Sequence, residues 1–213
     1  MNITIDMLES IGACDEGLAA FEAQFPSGEA TWEQCVAAAE TRAHKEHLAW
    51  LGVCCPAGVK GATWEVRLAL QRDDWERAWL GKCCPAGVKG ATWKVRMASQ
   101  RDDEERAELG KRCPAGVKGA TWEVRLALQR NDDDRAWLGQ YCPAGVKGAT
   151  WKARLALQRD DEGRAWLGRR CPVGVKGVTR EARMALQHTD AGREYVREFY
   201  ADNEETDARN TTN

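Results

Sequence analysis

Histidine is scarce in this chain, and no apolar run approaches the length of a membrane-spanning helix. Three histidines occur in 213 residues, and His44, His47 and His188 share no regular spacing. A zinc site or an imidazole general base therefore has few candidates. The start, Met1 to Asp6, lacks the basic and apolar regions of a secretory signal peptide, so we expect a cytoplasmic protein that does not enter the membrane.

Positive and negative charges are nearly balanced in this chain. The chain has 31 Lys and Arg against 33 Asp and Glu, which gives a formal net charge of −2. The balance conceals a segregation, because residues 1–54 are acidic and residues 55–170 are basic. This distribution favours contact with an anionic partner, although a solvated surface with uneven charge explains the same counts.

The sequence contains no recognisable catalytic or phosphate-binding motif. The repeated segment Ala57 to Gly61 is glycine-rich, but it lacks the Lys-Ser/Thr pair of a nucleotide-binding loop. No serine stands in the context of a nucleophile elbow. We therefore expect a protein that is not an enzyme and that holds no cofactor.

A 29-residue repeat dominates what is present. Cys-Pro begins at residues 55, 84, 113, 142 and 171, each time 29 residues after the last. Most copies continue with a glycine-rich turn, Thr-Trp, an apolar and basic run, an Asp pair or its remnant, and Leu-Gly. A fixed period of this length indicates a solenoid built from units that are too small to fold alone.

Capping residues divide one repeat into two short helices. Thr63 is a suitable N-cap for a first helix, helix A, over residues 64–72. Asp73 is suitable as the cap of a second helix, helix B, which we expect to end at about Leu80. Such short helices are marginal alone and must bury their apolar faces on neighbours.

Glycine and proline mark the joints between these helices. Gly81 fits a left-handed stop after helix B. Cys55 before Pro56 suits a third, very short helical turn, because proline is tolerated at the first helical position. We therefore predict an all-α fold, an α-solenoid of two-helix (plus one-turn) 29-residue repeats with atypical terminal caps.

The terminal segments depart from the repeat and are expected to cap the stack. Residues 5–24 predict an entry helix or helix pair, and the last copy replaces tryptophan with Arg180 and extends helix B through Glu198 to Tyr200. The predicted boundaries are 1–54 for the N-terminal cap and degenerate repeats, 55–170 for four near-identical repeats, 171–201 for the C-terminal capping repeat, and 202–213 for a disordered tail.

Stacked repeats turn each position into a column of equivalent residues, which we call a ladder. The position after the repeat tryptophan alternates in sign, so direct stacking would place opposite charges next to each other. We interpret this charge ladder as structural, with each exposed pair contributing about 0–1 kcal/mol. Its members are Glu65, Lys94, Glu123, Lys152 and Glu181.

Three basic ladders keep their sign in every copy. The lysine ladder lies in the glycine-flanked turn, and it is the better candidate for a polyanion site because no acid shares that turn. The two arginine ladders either continue a basic stripe or pair with the Asp ladder and cover the apolar stack, and we favour the second interpretation. The lysine ladder consists of Lys60, Lys89, Lys118, Lys147 and Lys176. The arginine ladders are Arg67, Arg96, Arg125, Arg154 and Arg183 on helix A, and Arg77, Arg106, Arg135, Arg164 and Arg193 on helix B.

Cysteine and tryptophan recur at the same period and are assigned to the core. One Cys per 29 residues does not match the paired spacing of zinc sites, and the vicinal pairs Cys54-Cys55 and Cys83-Cys84 occur in two copies only. We therefore predict no metal, and small buried thiols in a reducing compartment. The tryptophans fall at helix-face spacing in nearly every unit, which favours packing over a cofactor site.

The first, degenerate units carry a family likeness. They read Gly12-Ala13-Cys14 with Gly17 and Phe21, then Thr31-Trp32-Glu33-Gln34-Cys35, then Leu48-Ala49-Trp50-Leu51, and Trp75 to Leu80 echoes the last part. This stretch resembles short helical modules common in uncharacterised phage and bacterial proteins. The resemblance implies a helical fold and a prokaryotic or phage source, and it implies no activity. The later copies depart from it by shortening the first helix to Cys-Pro-Ala-Gly.

Near-identical copies make one extended repetitive surface, and we predict a non-enzymatic protein-interaction or scaffold module with a protein partner. Two alternatives stay open. A polyanion or nucleic-acid binder would use the Lys and Arg ladders and show a steep salt dependence. A self-assembling structural protein, of a phage or a filament, would associate through the open ends of the solenoid.

Overall fold

Each 29-residue repeat folds as two short helices joined by tight turns, in a computed structural model that describes residues 1–199. The chain divides into two compact units, Met1–Ala120 and Thr121–Asn213. The first unit contains β1 (Ile3–Thr4), α1 (Ile5–Ser10), α2 (Asp15–Gln24), β2 (Glu29–Ala30), α3 (Trp32–Ala38), α4 (Arg42–Cys54), α5 (Trp64–Ala69), α6 (Asp74–Cys83), α7 (Trp93–Ala98) and α8 (Asp103–Arg112). The second unit contains α9 (Trp122–Leu126), α10 (Asp132–Tyr141), α11 (Trp151–Leu155), α12 (Asp161–Arg170) and α13 (Arg180–Met184), and residues 190–199 form α14.

Within each unit, helix A and helix B alternate at the repeat period. The odd-numbered helices from α5 onward are A helices, and the even-numbered helices from α4 onward are B helices. The prediction of an all-α repeat solenoid is confirmed. The C-terminal helix reaches residue 199 as predicted, whereas Tyr200 and the predicted tail at 202–213 lie outside the described residues.

The helices begin at the predicted N-cap positions, but not every predicted cap is bonded. Thr63 occupies the N-cap position of α5, and its side chain makes no capping hydrogen bond. Asp73 Oδ1 accepts a hydrogen bond from the backbone N–H of Glu76 at 2.8 Å. Thr150 Oγ1 accepts one from the N–H of Ala153 at 3.2 Å. These bonds satisfy first-turn N–H groups that have no partner inside the helix, which fixes where each short helix starts.

Helix A ends earlier than predicted. In the first full repeat it stops at Ala69 and not at Arg72. The N–H of Gln71 bonds to the carbonyl of Leu68 at 3.1 Å, which tightens the last turn, and Gln71 Nε2 donates to the carbonyl of Arg67 at 3.1 Å. The Gln71 amide thus takes over a carbonyl that a longer helix would use.

Helix B runs further than predicted, and Gly81 is not a left-handed stop. It lies inside α6, which continues to Cys83. A Cβ on Gly81 would collide with Gln100 Nε2 and would stand 3.2 Å from the carbonyl oxygen of Arg96. This glycine therefore lets the A helix of the next repeat approach the backbone of helix B.

The segment from Cys-Pro to Lys-Gly forms two successive turns and not the predicted third helical turn. Gly58 and Gly61 adopt φ angles of 92° and 86°, in the left-handed region where a Cβ is strained. Each later Cys-Pro copy has the same pair of positive-φ glycines. The glycines of the repeat are thus dictated by turn geometry.

A backbone hydrogen bond joins each of the later turns, from Lys89 onward, to the preceding repeat. The N–H of Trp64 donates to the carbonyl of Lys89 at 2.9 Å in the first unit, and Trp122 donates to Lys147 at 2.9 Å in the second. The donor is the first residue of helix A, whose N–H has no intrahelical acceptor. The bond therefore fixes the register of neighbouring repeats without using a side chain.

The helix A arginines are buried in the core, which corrects the interpretation that they pair with the Asp ladder. Arg67 is 0% exposed. Its Nε donates to the carbonyl of Ala62 at 2.9 Å, its Nη1 to the carbonyls of Gly52 at 3.0 Å and Cys55 at 2.7 Å, and its Nη2 to that of Pro56 at 3.0 Å. The guanidinium thereby caps the C-terminal end of the preceding B helix, where positive charge is favoured.

The same contacts recur in both units. The carbonyls of the Leu-Gly glycine and of the Cys-Pro proline accept from Nη1 and Nη2 of Arg96 at 2.9 and 3.0 Å, and from those of Arg154 at 2.9 and 3.0 Å. The guanidinium carbon also lies 5.7 Å from the ring of Trp64 for Arg96, and 5.8 Å from that of Trp122 for Arg154. Because each ring belongs to the preceding repeat, one arginine links three elements of two repeats.

A buried glutamine ladder accompanies the arginines, and the sequence analysis did not anticipate it. Gln100 Nε2 donates to the carbonyls of Ala78 at 3.2 Å and Arg96 at 3.0 Å, which joins helix A to the preceding helix B. The amide group supplies donors where an apolar side chain would leave carbonyls unpaired. The ladder comprises Gln71, Gln100, Gln129, Gln158 and Gln187, each 4% exposed.

The repeat cysteines pack beside these polar ladders as small buried side chains. Each of the five stands at 0% exposure at the end of a B helix, and all nine cysteines of the chain, which lie within residues 1–199, are free thiols. Burial raises the pKa of the Cys84 and Cys142 thiols, which keeps them in the unreactive neutral form. In the first unit Cys84 packs with Leu80, Val88 and Ala91.

The N-terminal cap is a helix pair closed by two short strands. Residues 5–24 form α1 and α2, as the predicted pair, and β1 pairs antiparallel with β2 through Ile3 opposite Ala30. Ile3, Leu8, Phe21 and Trp32 form its core. The strand pair was not predicted, because two-residue strands leave no periodic signal.

Replacing Arg96 with methionine is expected to lower the free energy of unfolding by about 3 kcal/mol, because the buried carbonyls of Gly81 and Pro85 lose their donor. The matched control is Arg106→Met on α8, where the arginine pairs with Asp103 on the surface at 2.7 Å and contributes about 0–1 kcal/mol. Urea unfolding followed by circular dichroism measures both. Equal losses for the two variants would contradict the role assigned to the buried arginine.

Two glycine-to-alanine substitutions are expected to have opposite effects on the free energy of unfolding. Gly81→Ala should destabilise the protein by about 1–3 kcal/mol, because the added Cβ forces helix A away. Gly17→Ala in α2, where a Cβ would meet Cys14 Sγ at an ordinary 3.5 Å, should stabilise it by up to about 1 kcal/mol. Thermal unfolding of both variants decides the matter, and a stabilising Gly81→Ala would show that the close approach of the helices is not tight.

Candidate functional site: the exposed face of the B helices

The lysine ladder lies at the surface, but acids of the neighbouring repeat stand close to its turns. All five lysines are exposed. Gly90 directly follows Lys89 in the turn. A Cβ atom added to Gly90 would lie 3.0 Å from Glu65 Oε1, so this glutamate is close to the turn. A hydrogen bond from Thr121 and, more weakly, the charge of Lys147 hold the pKa of Glu123 below its ordinary value. No acid lies within these turns in the sequence, as expected. In the folded protein, however, glutamates of the preceding repeat lie next to the turns of Lys89 and Lys147.

The charge ladder does not form ion pairs between its own members within either unit, among the described residues. The glutamates are engaged locally, since Glu181 accepts hydrogen bonds from its own N–H and from Thr179, which lower its pKa. Lys152 occupies the equivalent place one repeat earlier. The turns are thus flanked by alternating charge, which weakens any continuous track for a polyanion.

The helix B arginines pair with the Asp ladder, as predicted. Each pair has i,i+3 spacing, and both side chains are largely exposed, so each contributes little to stability. The pairs are Arg77–Asp74 at 3.0 Å, Arg106–Asp103 at 2.7 Å, Arg135–Asp132 at 3.1 Å, Arg164–Asp161 at 2.9 Å and Arg193–Asp190 at 2.9 Å.

The tryptophans fall into two classes, and only those of helix A fit the predicted core assignment. Trp64 is 3% exposed, whereas Trp75 on α6 is 60% exposed and Trp137 on α10 is 55% exposed. The sequence did contain a signal for this difference. Glu104 and Glu108 stand in α8 where α6 has Trp75 and Trp79, and only a site facing solvent accepts such an exchange.

The first unit carries a patch of two exposed aromatic rings, Trp75 and Trp79, which we call the first aromatic patch. Trp75 and Trp79 are stacked, with ring centroids 5.9 Å apart and planes 6° apart. Trp50, which occupies the place in α4 equivalent to Trp79, is half-buried and packs against the core of the N-terminal cap. Stacking fixes the rings in one orientation, so this surface is preorganised for contact with another molecule.

The next B helix, α8, interrupts the aromatic surface with an ion-pair cluster. Glu108 accepts from Lys111 Nζ at 3.1 Å and from Arg112 Nε at 2.9 Å. Burial raises the pKa of Glu108, but these two hydrogen bonds outweigh it and hold the pKa below its ordinary value. The charges of Glu108, Lys111 and Arg112 are therefore paired with each other within the helix.

The second unit carries a patch with different chemistry, formed by Trp137, Tyr141, Trp166, Arg169 and Arg170, which we call the second aromatic patch. The rings of Trp137 and Tyr141 have centroids 5.4 Å apart. The guanidinium carbon of Arg170 lies 5.0 Å from the Trp166 ring and 5.9 Å from the Tyr141 ring, and that of Arg169 lies 4.8 Å from Trp166. The patch thus combines stacking surfaces with two cations.

The two arginines of the second aromatic patch differ from the other arginines of the B helices. Within residues 1–199, neither Arg169 nor Arg170 forms an ion pair with a carboxylate. Arg164, on the same helix, is bound to Asp161. The patch therefore presents donors that remain available for an acidic group of another molecule.

The first unit also contains an apolar cavity of about 410 Å³ that the sequence did not predict. Leu8, Phe21 and Leu48 are among its lining residues. His44 borders it, and its Nδ1 lies 3.4 Å from Gln24 Nε2. A cavity of this size accommodates a small apolar molecule.

The described part of the chain contains no cluster of three or more His, Cys, Asp or Glu arranged to hold a metal ion. Among residues 1–199, no helix has the length and apolar character needed to cross a membrane. Each unit thus consists of packed repeats that carry aromatic residues on the exposed face of B helices. Comparison with known proteins finds no matching family model, no matching curated protein and no matching solved structure.

Proposed function

We propose that this chain is a non-enzymatic scaffold that binds other proteins through the exposed aromatic faces of its B helices. The observation that carries the proposal is the exposure of Trp75, Trp79, Trp137 and Trp166 on helices whose other side is tightly packed. Tryptophan, tyrosine and arginine are the residues most enriched among energetic hot spots of protein interfaces. Exposed aromatic clusters of this kind are unusual on surfaces that contact only water.

The rigidity of the stack supports a binding role. The buried arginine and glutamine ladders fix helix A against the preceding helix B, so the exposed rings are held on elements that do not need to order on binding. A preorganised surface loses less conformational entropy when a partner binds. Variation among copies of the B face, for example Trp79 against Glu108, gives each repeat its own chemistry on a common frame.

The lysine ladder supports the alternative of a polyanion binder less well. Glutamates of the preceding repeat lie beside Lys89 and Lys147, and the helix A arginines are buried and cannot reach a phosphate. A phosphate track needs several free cations in a row. The proposed partner is therefore a protein and not a nucleic acid.

The proposal includes a prokaryotic or phage source and a cytoplasmic or virion location. The support is the resemblance of the first units to phage and bacterial helical modules, together with nine free cysteines. Buried thiols at the repeat period persist best in a reducing compartment.

Changing Trp75 and Trp79 to glutamate is expected to abolish partner binding without unfolding the protein, because α8 naturally has glutamate at both positions. Wild type and Trp75→Glu/Trp79→Glu are immobilised and exposed to a bacterial lysate, and a protein retained by wild type is purified and titrated calorimetrically. We expect the affinity to fall at least about tenfold for the variant. The variant Lys89→Gln/Lys118→Gln serves as the control and should bind as wild type.

Two results would contradict the proposed function. In the first, the aromatic variant binds the purified partner as tightly as wild type while the lysine variant does not. In the second, wild type binds single- or double-stranded DNA at physiological salt with an affinity that falls steeply as salt rises, and the lysine variant loses this binding. The second result would establish the polyanion alternative.

A further inference from the structure

The second aromatic patch is built in three rows along two neighbouring B helices. Residues four apart share a helix face, so Asp133, Trp137 and Tyr141 form one column on α10, and Glu162, Trp166 and Arg170 form the equivalent column on α12. All six side chains are exposed, and α10 packs on α12. The face therefore has an acidic row, an aromatic row, and a row with a hydroxyl and a guanidinium.

The order of the rows follows from helix chemistry. Acids are favoured in the first turn of a helix and cations in the last, where each opposes the helix dipole. The acidic row and the Arg170 row are eight residues apart, which is about 12 Å along the helix axis. Both edges carry groups that seek an opposite charge, and the aromatic row lies between them.

We infer that a second copy of this chain binds the second aromatic patch in an antiparallel, two-fold arrangement. A two-fold axis across α10 and α12 places Glu162 of one copy opposite Arg170 of the other, and Asp133 opposite Tyr141, whose hydroxyl can donate to it. The aromatic rows then meet at the centre. The face is self-complementary in this one orientation, as an isologous interface requires.

The parallel alternative is disfavoured by the same charges. A two-fold axis along the helices would place Asp133 of one copy opposite Glu162 of the other, and the helix dipoles would also be aligned. Like charges across an interface repel and suppress that mode of association. The inference differs from assembly through the ends of the stack, because the contact is made on the side of the B helices.

The size of the face sets the expected strength. Helices of ten residues are about 15 Å long, so this surface is small beside a standard protein interface. Tyr195, which is 46% exposed, extends the aromatic row to a third helix, α14. We therefore expect a weak dimer whose formation depends on protein concentration and weakens in high salt.

A charge exchange between two variants tests the arrangement. Sedimentation velocity of the full chain should show concentration-dependent dimers for wild type, and monomers for Glu162→Arg and for Arg170→Glu, because each single change places like charges opposite each other. An equimolar mixture of the two variants should dimerise again, since both junctions then pair opposite charges. Trp166→Ala should weaken dimerisation at least about tenfold.

The control is Lys152→Glu, which changes charge outside the face at a position where three other repeats carry glutamate. It should dimerise as wild type does. Circular dichroism confirms that every variant is folded. A wild-type chain that stays monomeric, dimers that survive both single charge reversals, or a mixture that stays monomeric would each overturn the inference.

This inference rests on the proposed function, because it names one partner for one of the aromatic surfaces. The two fail separately. If wild type is monomeric but its captured partner still depends on Trp75 and Trp79, only the self-association is wrong. If a captured protein binds the second aromatic patch while the chain stays monomeric, the occupant is that protein and the inference is overturned.

Discussion

The buried guanidinium of helix A is the contact on which the rest of the repeat depends. Among residues 1–199, no carboxylate forms an ion pair with Arg67. Backbone carbonyls that surround it and an indole that covers it make its burial tolerable. Those carbonyls belong to the end of helix B and to the Cys-Pro turn. The arginine therefore holds helix, turn and preceding repeat in one geometry, and a shift of any of them would leave a buried charge without partners.

Small residues fill much of the apolar core beside this polar interior. Cys84, Val88 and Ala91 fill the space around Leu80, and Gly81 allows the A helix to approach the B helix backbone. Hydrogen bonds are directional, so a buried polar ladder that donates to backbone carbonyls specifies one packing more strictly than apolar contacts do. The large aromatic residues of the B helices are not needed inside, and they are free to vary at the surface, as the exchange of Trp79 for Glu108 shows.

The sequence predicted what depends on local chemistry and missed what depends on neighbours. The period, the cap at Asp73 and the glycine-rich turns follow from residues close in the chain. The burial of Arg67 could not be read from spacing, because Asp residues lie near both arginine ladders and only the three-dimensional turn brings Gly52 and Cys55 to the guanidinium. The prediction for Gly81 was wrong for the same reason. The sequence does not distinguish a glycine that ends a helix from a glycine that allows another helix to pack closely.

The polarity of the candidate surface is a consequence of how the short B helices are stabilised. A helix of ten residues has few internal hydrogen bonds, so it relies on acids such as Glu162 in its first turn and cations such as Arg170 in its last. Wherever the outward residue between them is aromatic, the face acquires opposite charges at its two ends. In α8 the cluster of Glu108 with Arg112 uses the cation internally, whereas Arg170 has no such acid within the described residues. One substitution in the aromatic row thus decides whether the cation at the end of a B helix is paired within the helix or remains available for binding.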